Sequence, residues 1–175
     1  AGSRIGTPTE IHNETKINIF FQQWGYIQHL GLSSIALEDC VDSLLIPGGE
    51  LFPGGGDYEL WSLPKIIGST GGGVLWTKDK LTAHDLRNLR DRIVHVNKIW
   101  LLRLIGKKSS LVHLLWQGIE PSLGKPSRLQ TGEIYIGLKN WEKFVIDRKK
   151  KLDQFWKYAP NWLRYPIDRL PCVVP

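Results

Sequence analysis

An α/β domain with a mostly parallel sheet flanked by helices is predicted from three features of the sequence. Short apolar runs such as Ser33-Ser-Ile-Ala-Leu37 and Tyr58-Glu-Leu-Trp-Ser62 alternate with longer amphipathic stretches, the pattern of strand and crossover helix. The first run ends in an acidic pair, Glu38-Asp39, at the place where open α/β sheets gather ligand-binding groups. Between the two runs, residues 46–57 are crowded with glycine and proline and must form loop or hairpin.

Taken in order, residues 14–31 carry Ile17, Phe20, Phe21, Trp24 and Ile27 at helical spacing, with Gly31 as a C-terminal stop, which predicts an amphipathic helix. Residues 33–37 predict a buried strand, and 58–62 a second one leading to Lys65. Pro64 pushes Leu63 toward an extended conformation, so Lys65 is expected to project from a strand end and not from a helix. Gly71-Gly-Gly73 reads as a turn feeding a further strand at Val74-Leu-Trp-Thr77. Thr82 and Asp85 resemble a capping box. Beyond them, Leu86, Leu89, Ile93, Val96, Trp100 and Leu104 predict one long helix with Arg87, Arg90 and Lys98 on its exposed face. Residues 106–138 show no clear period. A last helix is predicted over 141–158, packing Trp141, Phe144, Val145, Leu152 and Phe155 and exposing Lys149-Lys-Lys151.

At 175 residues the chain can bury one ordinary core. Its 42% apolar and 23% charged residues are those of a globular protein, and no run approaches the ~18 apolar residues of a membrane span. The opening residues lack a secretory signal pattern, and Cys40 and Cys172 form neither a metal motif nor a disulfide framework. A cytoplasmic setting is therefore expected. The net charge of +6 favours anionic partners, including sugar nucleotides, without choosing among them. His12, His29, His84, His95 and His113 have no ligand spacing, so no metal site is expected. Both natural ends are expected to be missing, since there is no methionine and Leu170–Pro175 is an extended apolar segment.

The polar residues at the two strand ends have complementary chemistry. An amine (Lys65), a carboxylate (Asp39) and a hydroxyl (Ser62) converge if the strands are neighbours, and these are the groups pyridoxal phosphate requires: a Schiff-base partner, a partner for the pyridine nitrogen and a phosphate ligand. The segments Ile35-Ala-Leu-Glu-Asp-Cys-Val-Asp42, Gly56-Asp-Tyr-Glu-Leu-Trp-Ser-Leu-Pro-Lys65 and Gly71-Gly-Gly-Val-Leu75 resemble the fold-type I aminotransferases of the DegT/StrS sugar-aminotransferase family, over roughly positions 10–80.

The resemblance implies that Lys65 carries pyridoxal 5'-phosphate and acts as general base, that Asp39 faces the pyridine nitrogen, and that Ser62 binds phosphate. It further implies transfer of an amino group, with glutamate as donor, to a nucleotide-linked keto-sugar by a homodimer with shared active sites, without nucleic-acid or membrane partners. Residues 1–105 would be part of the large cofactor domain, 106–160 a connecting helical region, and 161–175 the start of the small domain at Arg164-Tyr-Pro-Ile167. The sequence departs from the family pattern in two places. The serine lies three residues before the lysine, where five is commonest. Asp42 stands where histidine or glutamine is usual and is expected to point away from the cofactor. The family's phosphate-binding helix N-terminus and stacking aromatic ring have no counterpart before residue 1, so the chain alone is expected to be a weak binder.

Other readings of the same residues compete with this one. Singly, Asp39 could cap a turn and Lys65 could be a solvated surface lysine. Ser62-Leu-Pro-Lys65 also matches the S-x-x-K of serine acyl enzymes, though without the companion S-D-N and K-T-G motifs. The positive charge and eight tryptophans suit a basic, non-enzymatic binding module, but the tryptophans mostly fall on apolar stripes, where core packing explains them.

Overall fold

The structure, a computed structural model, describes residues 16–29, 35–46, 48–93, 97–117, 124–161 and 169–172. In chain order its elements are β1 (Ile17–Phe21), β2 (Ile35–Asp39), β3 (Ser43–Leu44), β4 (Tyr58–Ser62), α1 (Leu63–Ile67), β5 (Gly73–Thr77), α2 (Lys80–Asp91), α3 (Asn97–Gly106), α4 (Ser110–Gln117), α5 (Arg128–Lys139), α6 (Trp141–Tyr158) and β6 (Leu170–Pro171). The main sheet has the order β1-β2-β4-β5, and β3 pairs with β6. β1–β2 and β2–β4 are parallel, while β4–β5 is antiparallel. The sheet is therefore mixed but mostly parallel, as predicted.

The first segment departs from expectation. Residues 17–21 form an edge strand, not the start of a helix, because burial along Ile17-Asn-Ile-Phe-Phe21 changes from residue to residue, with Phe20 buried and Ile19 and Phe21 exposed. β-branched Ile17 and Ile19 suit a strand. Trp24 and Gly25 then take φ of 55° and 79°, left-handed values that end any right-handed helix. Gly25 is required there: a Cβ would sit 2.0 Å from the Arg169 carbonyl oxygen.

Lys65 belongs to a helix, contrary to the reading of Pro64. In α1 the proline lies in the first turn, where its missing N–H has no intrahelical partner to lose and its φ is already helical. Gly68, at φ 70°, closes the helix, its N–H donating to the Pro64 carbonyl. Leu63, Ile66 and Ile67 are buried, each contributing about 1.5–3 kcal/mol by leaving water. They join Trp61, Cys40, Leu44 and Leu170, together with Val145 and Leu152 of α6, in one core. Ile67 presses on Gly137 of α5, where a Cβ would meet it at 2.6 Å.

The long helix predicted over 82–104 is two helices, α2 and α3. Asp79 caps α2, accepting the N–H groups of Leu81 and Thr82, so Thr82 lies inside the helix and not at its cap. α2 buries no residue; Leu86 is half-buried and Leu89 exposed. The stretch without clear periodicity contains α4 and α5. The latter begins in a true capping box, in which Ser127 accepts from the Gln130 N–H at 3.4 Å and the Gln130 side chain accepts from the Ser127 N–H at 3.1 Å. α6 covers 141–158 as predicted. Residues 164–167 and His12 and His95 lie outside the described residues.

Candidate functional site

The strand register determines which side chains can meet. Asp39 pairs with Leu60, and Ser62 is two residues further along β4, so alternation places Asp39 and Ser62 on the same face of the sheet near the carboxyl ends of β2 and β4. Both are half-buried. Lys65 follows on α1, and its Nζ lies 2.8 Å from Asp42 Oδ1. This corrects the expectation that Asp42 points away. Asp42 is 18% exposed and Lys65 48%, so the amine reaches from a wet position to a mostly sheltered carboxylate.

Asp39 Oδ1 accepts the Val41 N–H at 3.1 Å, the local turn expected of an Asx residue. Burial pushes the Asp39 carboxyl above its ordinary pKa; the Asp42 charge adds to this, while the Val41 N–H and Lys65 act against it. Asp39, Asp42 and Lys65 are thus one electrostatic group. Ser62 caps α1 by position only, with no side-chain bond to it, and Lys65 bonds Asp42 and not Ser62. The S-x-x-K pair is therefore not assembled as a nucleophile and its base.

Arg148, on α6, closes the group from behind. Its Nη2 donates to the carbonyls of Lys65 and Ile66, the latter at 3.0 Å, holding the last turn of α1 where carbonyls lack helical partners. The Cys172 N–H donates to the Asp42 carbonyl at 2.8 Å. Neither cysteine is poised as a nucleophile: burial pushes both thiols up, for Cys40 with the Glu59 carboxylate adding to it.

The opposite face explains the glycine-rich loop. Glu38 and Glu59, register partners on β2 and β4, are 1% and 0% exposed, and each is surrounded by donors. Glu38 accepts from Gln22 Nε2 at 2.8 Å and from the Gly54 and Gly56 N–H groups at 2.7 Å. Glu59 accepts from the Phe52 N–H, Trp61 Nε1 and Arg169 Nη1, each at 2.5 Å. A Cβ on Gly56 would lie 2.8 Å from Glu38 Cγ, so the loop must be glycine to close on the carboxylate. The acidic pair at the strand end thus divides between the two faces: Glu38 holds the scaffold and Asp39 lies on the side of Ser62.

Of the predicted site residues, Asp39 and Lys65 come together, and Ser62 shares their face of the sheet without bonding to either. Sequence reasoning missed Arg148, and it noticed Asp42 without its contact to Lys65. Nothing in the local pattern marks Arg148, since the contact spans 83 positions. Among the described residues there is no cluster suited to a metal ion and no helix long and apolar enough to cross a membrane.

An amine and two carboxylates gathered near the carboxyl ends of β2 and β4 lie where α/β domains with mostly parallel sheets bind their ligands, and their chemistry would suit an aldehyde cofactor. The donor set fits that cofactor. Among the described residues only the Val41 N–H is bonded to the Asp39 carboxylate, leaving lone pairs able to accept from a protonated ring nitrogen. A family model described as "Putative PLP-dependent aminotransferase" matches residues 1–157. The chain belongs to that family of enzymes, and pyridoxal 5'-phosphate is its expected cofactor. No curated protein and no solved structure matches the chain.

Proposed function

We propose that Lys65 is the cofactor lysine, Asp39 the partner of the pyridine nitrogen and Ser62 a phosphate ligand, in an aminotransferase that takes its amino group from glutamate and passes it to a nucleotide-linked keto-sugar. The observation that carries the site is the shared face of Asp39 and Ser62, with Lys65 on the helix that follows Ser62. The sugar substrate, the glutamate donor and DegT/StrS membership rest on the sequence resemblance around 35–75, as do a homodimer with shared sites, a cytoplasmic setting and domain limits at 105 and 160.

When bound, the cofactor supplies an electron sink for a carbanion next to nitrogen. The chain's residues bind, orient and move protons. Asp39, in a partly desolvated position, would accept a ring N–H in a charge-assisted hydrogen bond, stronger where water is excluded. Lys65 would deliver a proton from Nζ as the ammonium and take one up as the neutral amine, within reach of the rim. Arg148 keeps the backbone of Lys65 in place while the side chain moves.

The test is to add pyridoxal 5'-phosphate to the purified chain, record absorbance near ~420 nm, where a lysine Schiff base is expected, then reduce with borohydride and map the pyridoxyl group by peptide mass spectrometry. With the cofactor in large excess, as a weak binder requires, a band with the adduct on Lys65 is expected, and neither in Lys65→Ala. An adduct reproducibly on another lysine would remove Lys65 from the role. Loss of the band with glutamate, but no amination of any nucleotide-linked keto-sugar offered, would remove the sugar reading and leave the aminotransferase.

A further inference from the structure

We propose that Asp42 is a positioning residue that holds the Lys65 ammonium at the rim whenever the amine is not engaged with the cofactor. The inference rests on the reading of Lys65 as the cofactor lysine. The first observation is geometric: Nζ lies 2.8 Å from Asp42 Oδ1, while Asp39, the other carboxylate of the group, takes the Val41 N–H and no bond from Lys65. The carboxylate destined for the ring nitrogen therefore stays available, and a second carboxylate takes up the amine.

The second observation is that both partners are held at their backbones. Lys65 is fixed at its carbonyl by Arg148, and Asp42 at its carbonyl by the Cys172 N–H, next to the paired strands β3 and β6. Asp42 is the less exposed partner, so the ammonium comes to the carboxylate. A lysine that must alternately bind and release an aldehyde needs a defined place between those states, because a long flexible side chain left in water loses the orientation its chemistry depends on. Asp42 provides that place. Its ion pair is half-exposed and correspondingly weak, which lets the amine leave without a large barrier.

The test measures the amine directly. Formaldehyde with cyanoborohydride methylates lysines in proportion to the free amine, and peptide mass spectrometry reports the rate at Lys65 relative to exposed Lys80. In Asp42→Asn, which keeps the backbone bond to Cys172, the Lys65 rate should rise about two- to threefold, the range of a weak exposed ion pair. Asp42→Glu should keep the slow wild-type rate. The same ordering is expected when pyridoxal 5'-phosphate and borohydride replace formaldehyde. An unchanged Lys65 rate in Asp42→Asn overturns the proposal, as does a rise that Asp42→Glu fails to reverse. If formaldehyde gives the expected ordering but no variant takes a pyridoxyl group at Lys65, the hold on the amine stands and the assignment of the cofactor lysine falls.

Discussion

Replacing Arg169 by leucine tests whether the hidden face of the sheet holds the fold. Arg169 is 4% exposed and is the cation paired with Glu59, itself 0% exposed. The substitution removes the Nη1 bond to Glu59 at 2.5 Å and the Nη2 bond to the Glu50 carbonyl at 2.5 Å. Breaking one side of a buried ion pair costs about 3–5 kcal/mol, because the remaining charge stays desolvated. Glu59 keeps the Phe52 N–H and Trp61 Nε1, which places the carboxylate term near ~3 kcal/mol. The lost bond to Glu50 adds about 1 kcal/mol. The sum, roughly 4 kcal/mol, corresponds to a fall in Tm of about 8–16 °C for a chain of this size. Urea unfolding at neutral pH, with Arg169→Leu beside Glu59→Gln and a Glu59→Leu/Arg169→Leu double variant, measures it. The double variant should lose less than the two single losses added, since no buried charge is then left without its partner. A loss below ~1 kcal/mol for Arg169→Leu, at unchanged m-value, would refute the reasoning.

Two further outcomes are expected. The Asp39 carboxyl, raised first by burial and then by the Asp42 charge, favours folding in its protonated form. That contribution is fully present below the unfolded value of 3.8 and lost as the pH rises through the higher folded value. Asp39→Asn should therefore raise Tm at pH 7 relative to the native chain but not at pH 3, while weakening cofactor binding; equal melting shifts at both pH values contradict the desolvation account. Ser127→Ala, which removes the buried cap of α5, should cost about 1 kcal/mol in urea unfolding, and an unchanged midpoint means the Gln130 half of the box suffices.

Elements defined by strong local signals were legible in the sequence. β2, β4 and β5 were, because short apolar runs bounded by glycine leave few alternatives, and α6 was, because its apolar stripe is long. β1 was misread because Ile17, Phe20, Phe21, Trp24 and Ile27 satisfy a helical period by coincidence, while the features that decide against a helix, the left-handed backbone at Trp24 and Gly25 and the pairing of β1 with β2, are conformational or distant. Pro64 was misjudged because the rule for the residue before proline leaves open that proline itself begins a helix. In the candidate site, Asp39 and Lys65 were singled out from their residue types at expected strand ends; the structure puts Asp39 at the end of β2 and Lys65 on the helix after β4. Asp42 was noticed but given the wrong direction, since a carboxylate near a cofactor looks unfavourable until the ammonium that pairs with it is placed. Glu38 was read as half of an acidic motif. Alternation along β2, applied strictly, would have sent it to the opposite face from Asp39.

The antiparallel return from β4 to β5 has a consequence for the order in which the site is assembled. Residues 63–72, with Lys65 among them, form a short reversing connection between neighbouring strands, so that part of the frame closes through contacts near in sequence. The Glu59–Arg169 contact, 110 positions apart, requires a much larger loop to close, and loop entropy sets that cost before any contact offsets it. The lysine's helix thus has a local frame of its own, whereas the orientation of that frame toward Asp39 depends on the parallel pairing of β2 with β4. Damage to a distant contact such as Arg169 can leave the lysine in its local turn and still separate it from Asp39.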